Sequence, residues 1–242
     1  IAHVETWNEW HEGTDIARSQ DSNDLYIRAT SKFGGAFHNG IRLDSYGPYV
    51  NARELRWSAW REDGLHLKPP AGDGWWEHIT VNGQPAVITT SAPASSSAGR
   101  YLYFDVDDSC VFGDLGLVAE VTVVFRDDGG CEGFQIEYDN SSFDIGAFGG
   151  SFRPARLISV GRADTWRTAV MQLPQVWFCN RTNGADLRLV AIGGQQRLTV
   201  REVTVRKVPG VTTNPAELVS INSTTQPSPG AGKAADILQK HK

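Results

Sequence analysis

The chain is poor in several things, and each shortage excludes something. It has one methionine and three cysteines in 242 residues. Cys110, Cys131 and Cys179 lie far apart, with no Cys-x-x-Cys and no Cys/His spacing of the kind that holds zinc. Two readings of the thiols stay open: one disulfide, with Cys110–Cys131 the first pairing to test, or three reduced, buried cysteines. No apolar run approaches the roughly 18 residues of a membrane span, so no membrane partner is expected. There is no basic block either. Lys plus Arg is 23 against 28 for Asp plus Glu, a formal net charge of −5. Phosphate backbones are held by clustered positive charge, so nucleic acid is not the expected partner. The sequence also lacks an initial methionine and a basic-then-apolar leader. Ile1 runs directly into Ala2-His3-Val4-Glu5-Thr6-Trp7, a strand-like pattern. The expectation is that it begins inside a longer polypeptide.

What is present suits a turn-rich β protein. There are 25 glycines, ten Phe, eight Trp and six Tyr, and 40% of residues are hydrophobic. That is enough apolar material for a sizeable core. A charged share of 21% argues against wholesale disorder.

Four textures follow one another. Residues 1–40 read as strand, polar loop and helix. Asp21 or Ser22 can cap a helix near Asp24–Phe37, where Leu25, Ala29, Lys32, Phe33 and Ala36 recur at three and four residues. Residues 41–54 are a connector containing Gly47-Pro48. From Leu55 to Val208 the period changes to two, in short runs broken by Gly, Asn, Asp and Pro. Examples are 100–106, 117–125, 133–138, 168–173, 187–190 and 198–205. Alternation of this kind, about eight times over, predicts antiparallel strands with one buried face and hence a jelly-roll-like β-sandwich. Residues 209–242 are rich in Pro, Ser and Thr and read as a linker or tail.

The sharpest motif is Thr6-Trp7-Asn8-Glu9-Trp10-His11-Glu12-Gly13-Thr14, directly after the first strand. It holds two carboxylates, an amide, an imidazole and two indoles in nine residues; acid–base chemistry on a sugar needs two carboxyl groups near one glycosidic bond, and aromatic faces suit sugar rings. In a (β/α)8 barrel such groups sit at the C-terminal ends of strands. The string resembles the last-strand motif of glycoside hydrolases related to families 71 and 99, including the endo-α-mannanase group and neighbouring barrel proteins of unknown activity. The resemblance implies a parent hydrolase in which Glu9 is the base that deprotonates the substrate 2-hydroxyl. That oxygen then attacks the anomeric carbon, and Glu12 protonates the leaving oxygen. Asn8, Trp10 and His11 would line the sugar site. It covers residues 1–40 only, one βα unit of a fold that takes about 250 residues. The chain alone is therefore expected to be inactive, because a lone βα unit cannot shape or dry an active site.

The sandwich resembles those appended to bacterial polysaccharide-active enzymes, through the runs 103–108, 134–139, 166–169, 173–174 and 180–188. That resemblance implies a polysaccharide or glycan partner, the preceding barrel as a second, and a secreted, periplasmic or cell-surface location. Trp57, Trp60, Trp75, Trp76 and Trp177 are the candidate stacking platforms, since an exposed indole suits a pyranose face. Core packing is the competing role, and for Trp166 the expected one. Trp75 and Trp76 follow a Gly72-Asp73-Gly74 loop, and at most one of them is expected to be buried. No organic cofactor is expected. Asp105, Asp107, Asp108, Asp114 and Asp139 could ligate a structural calcium, although their spacing matches no EF-hand and solvated loop carboxylates explain them as well. Asn140, Asn180 and Asn222 fit the N-glycosylation pattern. Three functions remain: a C-terminal fragment of a glycoside hydrolase, a carbohydrate-binding module, or a sandwich that only supports the barrel.

Overall fold

A computed structural model describes residues 47–91, 100–113, 117–141, 149–208 and 219–223. The expected barrel unit, with its helix near Asp24–Phe37 and with Asn8, Glu9, Trp10, His11 and Glu12, lies outside the described residues, as does Asp114.

Fourteen strands and no helix occupy the described residues. The first seven are β1 (Glu54–Ser58), β2 (Arg61–Asp63), β3 (Leu65–Leu67), β4 (Trp76–Val81), β5 (Gln84–Thr89), β6 (Tyr101–Val106) and β7 (Leu117–Asp127). The rest are β8 (Gly133–Tyr138), β9 (Arg153–Pro154), β10 (Ile158–Ser159), β11 (Thr165–Val176), β12 (Leu187–Ile192), β13 (Thr199–Val208) and β14 (Val219–Ser223). They form two sheets. One runs β14-β11-β7-β13-β1-β2, with β5 also on β13 and β4 on β5; the other runs β10-β8-β12-β6-β3, with β9 on β8. All strand pairs are antiparallel, as the period-two runs predict.

Alternation explains the sandwich core. Residues i and i+2 of a strand share a face. Leu55 and Trp57 of β1, Val121, Val123 and Phe125 of β7, and Ala169, Met171 and Leu173 of β11 form one inner wall. Leu102 and Phe104 of β6, Phe134 and Ile136 of β8, and Leu187 and Leu189 of β12 form the other. Edge-to-face aromatic pairs join the walls: Trp57 with Phe104 at 5.3 Å and Phe125 with Phe134 at 4.9 Å between ring centroids.

The β4–β5 hairpin turns at Asn82-Gly83, where φ is 52° and 77°. Positive φ at both central residues is what a two-residue hairpin of this hand needs. The hairpin brings Ile79, Val81 and Ala86 onto Trp166 and Val124, a second small core outside the sandwich. Trp166 is thus buried as expected, but between the Arg126 and Arg201 guanidinium groups and under this hairpin.

Two departures from the sequence reading matter below. Register slips in β11 between Leu173 and Val176, at a proline that has no N–H to give and at Gln175 with φ 55°. The freed Pro174 carbonyl accepts from the Tyr138 hydroxyl and the Asn140 amide, both at 2.9 Å. The tail read as a linker supplies a strand: β14 pairs with Arg167–Met171 of β11 and closes that edge of the larger sheet.

Candidate functional site

The inward alternation of β6 and β12 has an outward complement. Tyr101 and Tyr103 of β6, and Arg188 and Val190 of β12, face away from the core. Register sets Tyr103 beside Arg188 and Arg188 beside Glu137 of β8, one row across three strands. Tyr101, Tyr103, Ala185 and Val190 form a small apolar floor. Loops raise walls around it: Asp73 between β3 and β4, Phe152 before β9, and Arg181 and Asn183 between β11 and β12. The resulting cleft has a volume of about 490 Å³, within the range of small-molecule sites.

Arg188 is the centre of the site. Its guanidinium carbon lies 4.1 Å from the Tyr101 ring centroid and 4.3 Å from that of Phe152. Nε donates to Glu137 at 2.6 Å, and the second terminal nitrogen lies 2.5 Å from the same oxygen. Burial alone would lower the Arg188 pKa; Glu137 and the Tyr103 hydroxyl outweigh it and hold the group above its ordinary value.

Tyr103 ties the walls to the floor. Its hydroxyl donates to Asp73 at 2.9 Å and accepts from Arg188 at 2.7 Å and from Asn183 at 2.9 Å. One donor and two acceptor sites are all a phenol has, so the group is saturated. Burial pushes its pKa up to about 12, which keeps the hydroxyl protonated. Gly74 is required beside it: a Cβ there would stand 2.8 Å from the Tyr103 ring.

The wall carrying Arg181 and Asn183 is pinned from beneath. Asp139 is fully buried and accepts from Arg181 Nε at 2.9 Å and from a terminal Arg181 nitrogen at 2.6 Å. Its other oxygen accepts from the backbone N–H of Cys179 at 2.9 Å and of Arg181 at 3.3 Å. Phe178, Asn180 and Asn183 hold positive φ of 47°, 61° and 54°. These contacts keep a loop of costly backbone geometry in place.

The sequence-derived platforms fall elsewhere. Trp57 is corrected: at 3% exposure it belongs to the core, because β1 pairs with its odd residues inward. Trp75 and Trp76 are both half-buried, their indole N–H groups donating to the Gly72 and Lys68 carbonyls at 3.0 Å. Trp177 lies under the Arg181 guanidinium at 4.5 Å. Trp60, 57% exposed at the β1–β2 turn, is the indole that stands free beside polar groups, with Arg56, Ser58, Arg61 and Asp63 around a hollow of about 270 Å³. None of these lines the Arg188 cleft. The residues that do went unmarked, although Tyr101 and Tyr103 at i and i+2 with Arg188 inside an apolar run are a readable sign of an occupied outer face.

Of the two readings of the thiols, the reduced one holds: none of the three cysteines is in a disulfide, and Cys110 and Cys131 are buried and Cys179 half-buried. Burial raises the pKa of Cys131 and of Cys179 to about 11, so both remain neutral thiols. The candidate calcium ligands are dispersed among other partners. Asp105 meets Lys68 at 3.4 Å, Asp107 accepts from the Ser109 N–H at 2.9 Å, and Asp108 accepts from the Asn180 amide at 3.0 Å. Among the described residues no three His, Cys, Asp or Glu converge as metal ligands. Asn140 is buried with its amide donating to the Pro174 and Gln175 carbonyls, so it offers no glycan attachment point.

No protein-family model matches the chain, and no curated protein matches it. Among solved structures, the K1 cleaved adhesin domain of Lys-gingipain (Kgp) from Porphyromonas gingivalis W83 is similar at 14% identity and a TM-score of 0.31. The match covers 71% of this chain and 98% of that one.

Proposed function

We propose that the sandwich is the carbohydrate-binding accessory module of a polysaccharide-active glycoside hydrolase, and that the Arg188 cleft seats the glycan. The observation that carries the reading is the cleft itself: an aromatic floor ringed by Asp73, Glu137, Asn183 and Arg188, planar polar groups suited to sugar hydroxyls. The hydrolase part rests on the Trp7–Thr14 string. A polysaccharide ligand is met outside the cytoplasm, which carries the secreted, periplasmic or cell-surface location with it.

The test is affinity electrophoresis of residues 1–242 in gels containing α-mannan and other glycans. Retention is expected, and Asn183→Ala is expected to weaken it about tenfold, the loss of roughly one well-placed hydrogen bond, with a slightly lowered melting temperature because Ala resists the positive φ and the Tyr103 hydroxyl loses a donor. Retardation by no glycan would sink the module reading. No hydrolysis is expected from this chain; a barrel-containing parent is expected to be active and to lose turnover on Glu9→Gln or Glu12→Gln. A parent indifferent to both substitutions would overturn the hydrolase assignment.

Support of a preceding barrel is a second reading, favoured by Trp60. Asp63 beside it accepts from the Tyr49 hydroxyl, close to where the described body begins at Gly47. A domain joined there would emerge next to the exposed indole. Trp60→Ala in the parent would then lower the barrel's melting temperature and leave glycan retention intact.

A further inference from the structure

Resting on the carbohydrate reading, we infer that the Arg188 cleft is built for an uncharged sugar whose adjacent hydroxyls donate to Asp73 and Glu137, and that it rejects uronic-acid and sulfated glycans. The argument is the charge balance of the site. A cleft with two arginines in its lining invites an acidic ligand only if their charge is spare.

Neither charge is spare. Arg188 is held at 2.5 and 2.6 Å by one oxygen of Glu137. Arg181 spends Nε and a terminal nitrogen on the buried Asp139 carboxylate, and it also donates to the Gly149 and Asn140 carbonyls at 3.1 and 2.7 Å. Two other charges border the floor. Arg100 lies over the Tyr101 ring at 4.9 Å and donates to its hydroxyl, while Asp73 is 47% exposed on the opposite wall. Among the described residues around the cleft, cations and anions therefore cancel in number.

The accessible polar atoms then set the hydrogen-bond sense. Asp73 uses one oxygen for Tyr103, and its other oxygen stands 3.9 Å from Arg188, beyond hydrogen-bond length. Glu137 uses one oxygen for Arg188. Each carboxylate thus turns acceptor capacity toward the cleft, and sugar hydroxyls are donors of the right kind. A ligand carboxylate or sulfate would meet these two anions in a half-buried site where like charges repel strongly.

The experiment compares neutral glycans (α-mannan, xylan, a β-glucan) with acidic ones (polygalacturonate, alginate, chondroitin sulfate), using the full chain. Retention by at least one neutral glycan is expected, changing less than about twofold between ~0.05 and ~1 M salt, because no net charge is being screened. Asp73→Asn is expected to weaken that retention about tenfold at unchanged melting temperature. Glu137→Gln releases the Arg188 charge, so it should weaken neutral retention and create salt-sensitive retention by polygalacturonate. Wild-type retention by acidic glycans alone, fading with salt, would overturn the inference and leave the module reading standing. Retention by neither class would overturn both.

Discussion

Asp139→Ala is expected to destabilise the protein by about 3–5 kcal/mol, the cost of removing one partner from a buried ion pair. The carboxylate is wholly inaccessible and accepts four hydrogen bonds: two from the Arg181 guanidinium and two from the backbone N–H groups of Cys179 and Arg181. Alanine satisfies none of them. The guanidinium over Trp177 loses its carboxylate partner, and two backbone donors lose their acceptor. The change should appear as a shifted denaturation midpoint at unchanged slope. A second reading separates this from general loss of fold. The Asp139-anchored loop carries Asn183, so glycan retention should fall even at temperatures where the variant is fully folded. A midpoint shift worth less than about 1 kcal/mol would mean that the loop is held by something other than this carboxylate.

A comparable effect is expected from pH alone. Asp186 is wholly buried, and burial raises its pKa from 3.8 to about 8, against two backbone N–H groups, of Asn180 and Val106, that favour the ionised form. The folded state therefore keeps this proton between about pH 4 and about pH 8, where the unfolded chain has released it. Linkage then makes the folded state lose stability as pH rises through that window and level off above it. The contribution is on the order of 5 kcal/mol. Denaturation at about pH 5 and about pH 8.5, in wild type and in Asp186→Asn, isolates it: the difference between the two proteins should shrink as pH rises. The variant loses absolute stability at low pH, since its amide N–H must face a backbone donor. A wild type whose advantage over the variant grows toward alkaline pH would refute the assignment.

The long strands were legible because their period is their burial. Runs such as Leu102-Tyr103-Phe104 and Leu187-Arg188-Leu189 announce both the strand and its inner face. The short ones were not. β2, β3, β9 and β10 have two or three residues each, too few for any period, and they exist because a longer neighbour offers a ladder. The β4–β5 hairpin was readable in principle from Asn82-Gly83 between two alternating segments. β14 was hidden by composition: Val219-Ser220-Ile221-Asn222-Ser223 alternates, but between Pro- and Thr-rich flanks that favour a linker. The candidate site was the least legible part. Reading for sugar contacts favoured tryptophan, and register instead sent Trp57 inward and kept the other four out of the cleft. The cleft joins three strands and three loops distant in sequence, and only the pairing of β6, β12 and β8 brings Tyr103, Arg188 and Glu137 into one row.

The position of β14 bears on how the protein can be made. A ribosome delivers β11 well before the segment that caps its edge, so the larger sheet waits with the outward-pointing N–H and C=O groups of Arg167–Met171, those not bonded to β7, unmatched until Ser223 has emerged. During that interval the nascent chain presents an open template for any other strand. An expression boundary drawn after Val208, where the texture of the sequence invites it, would make that interval permanent.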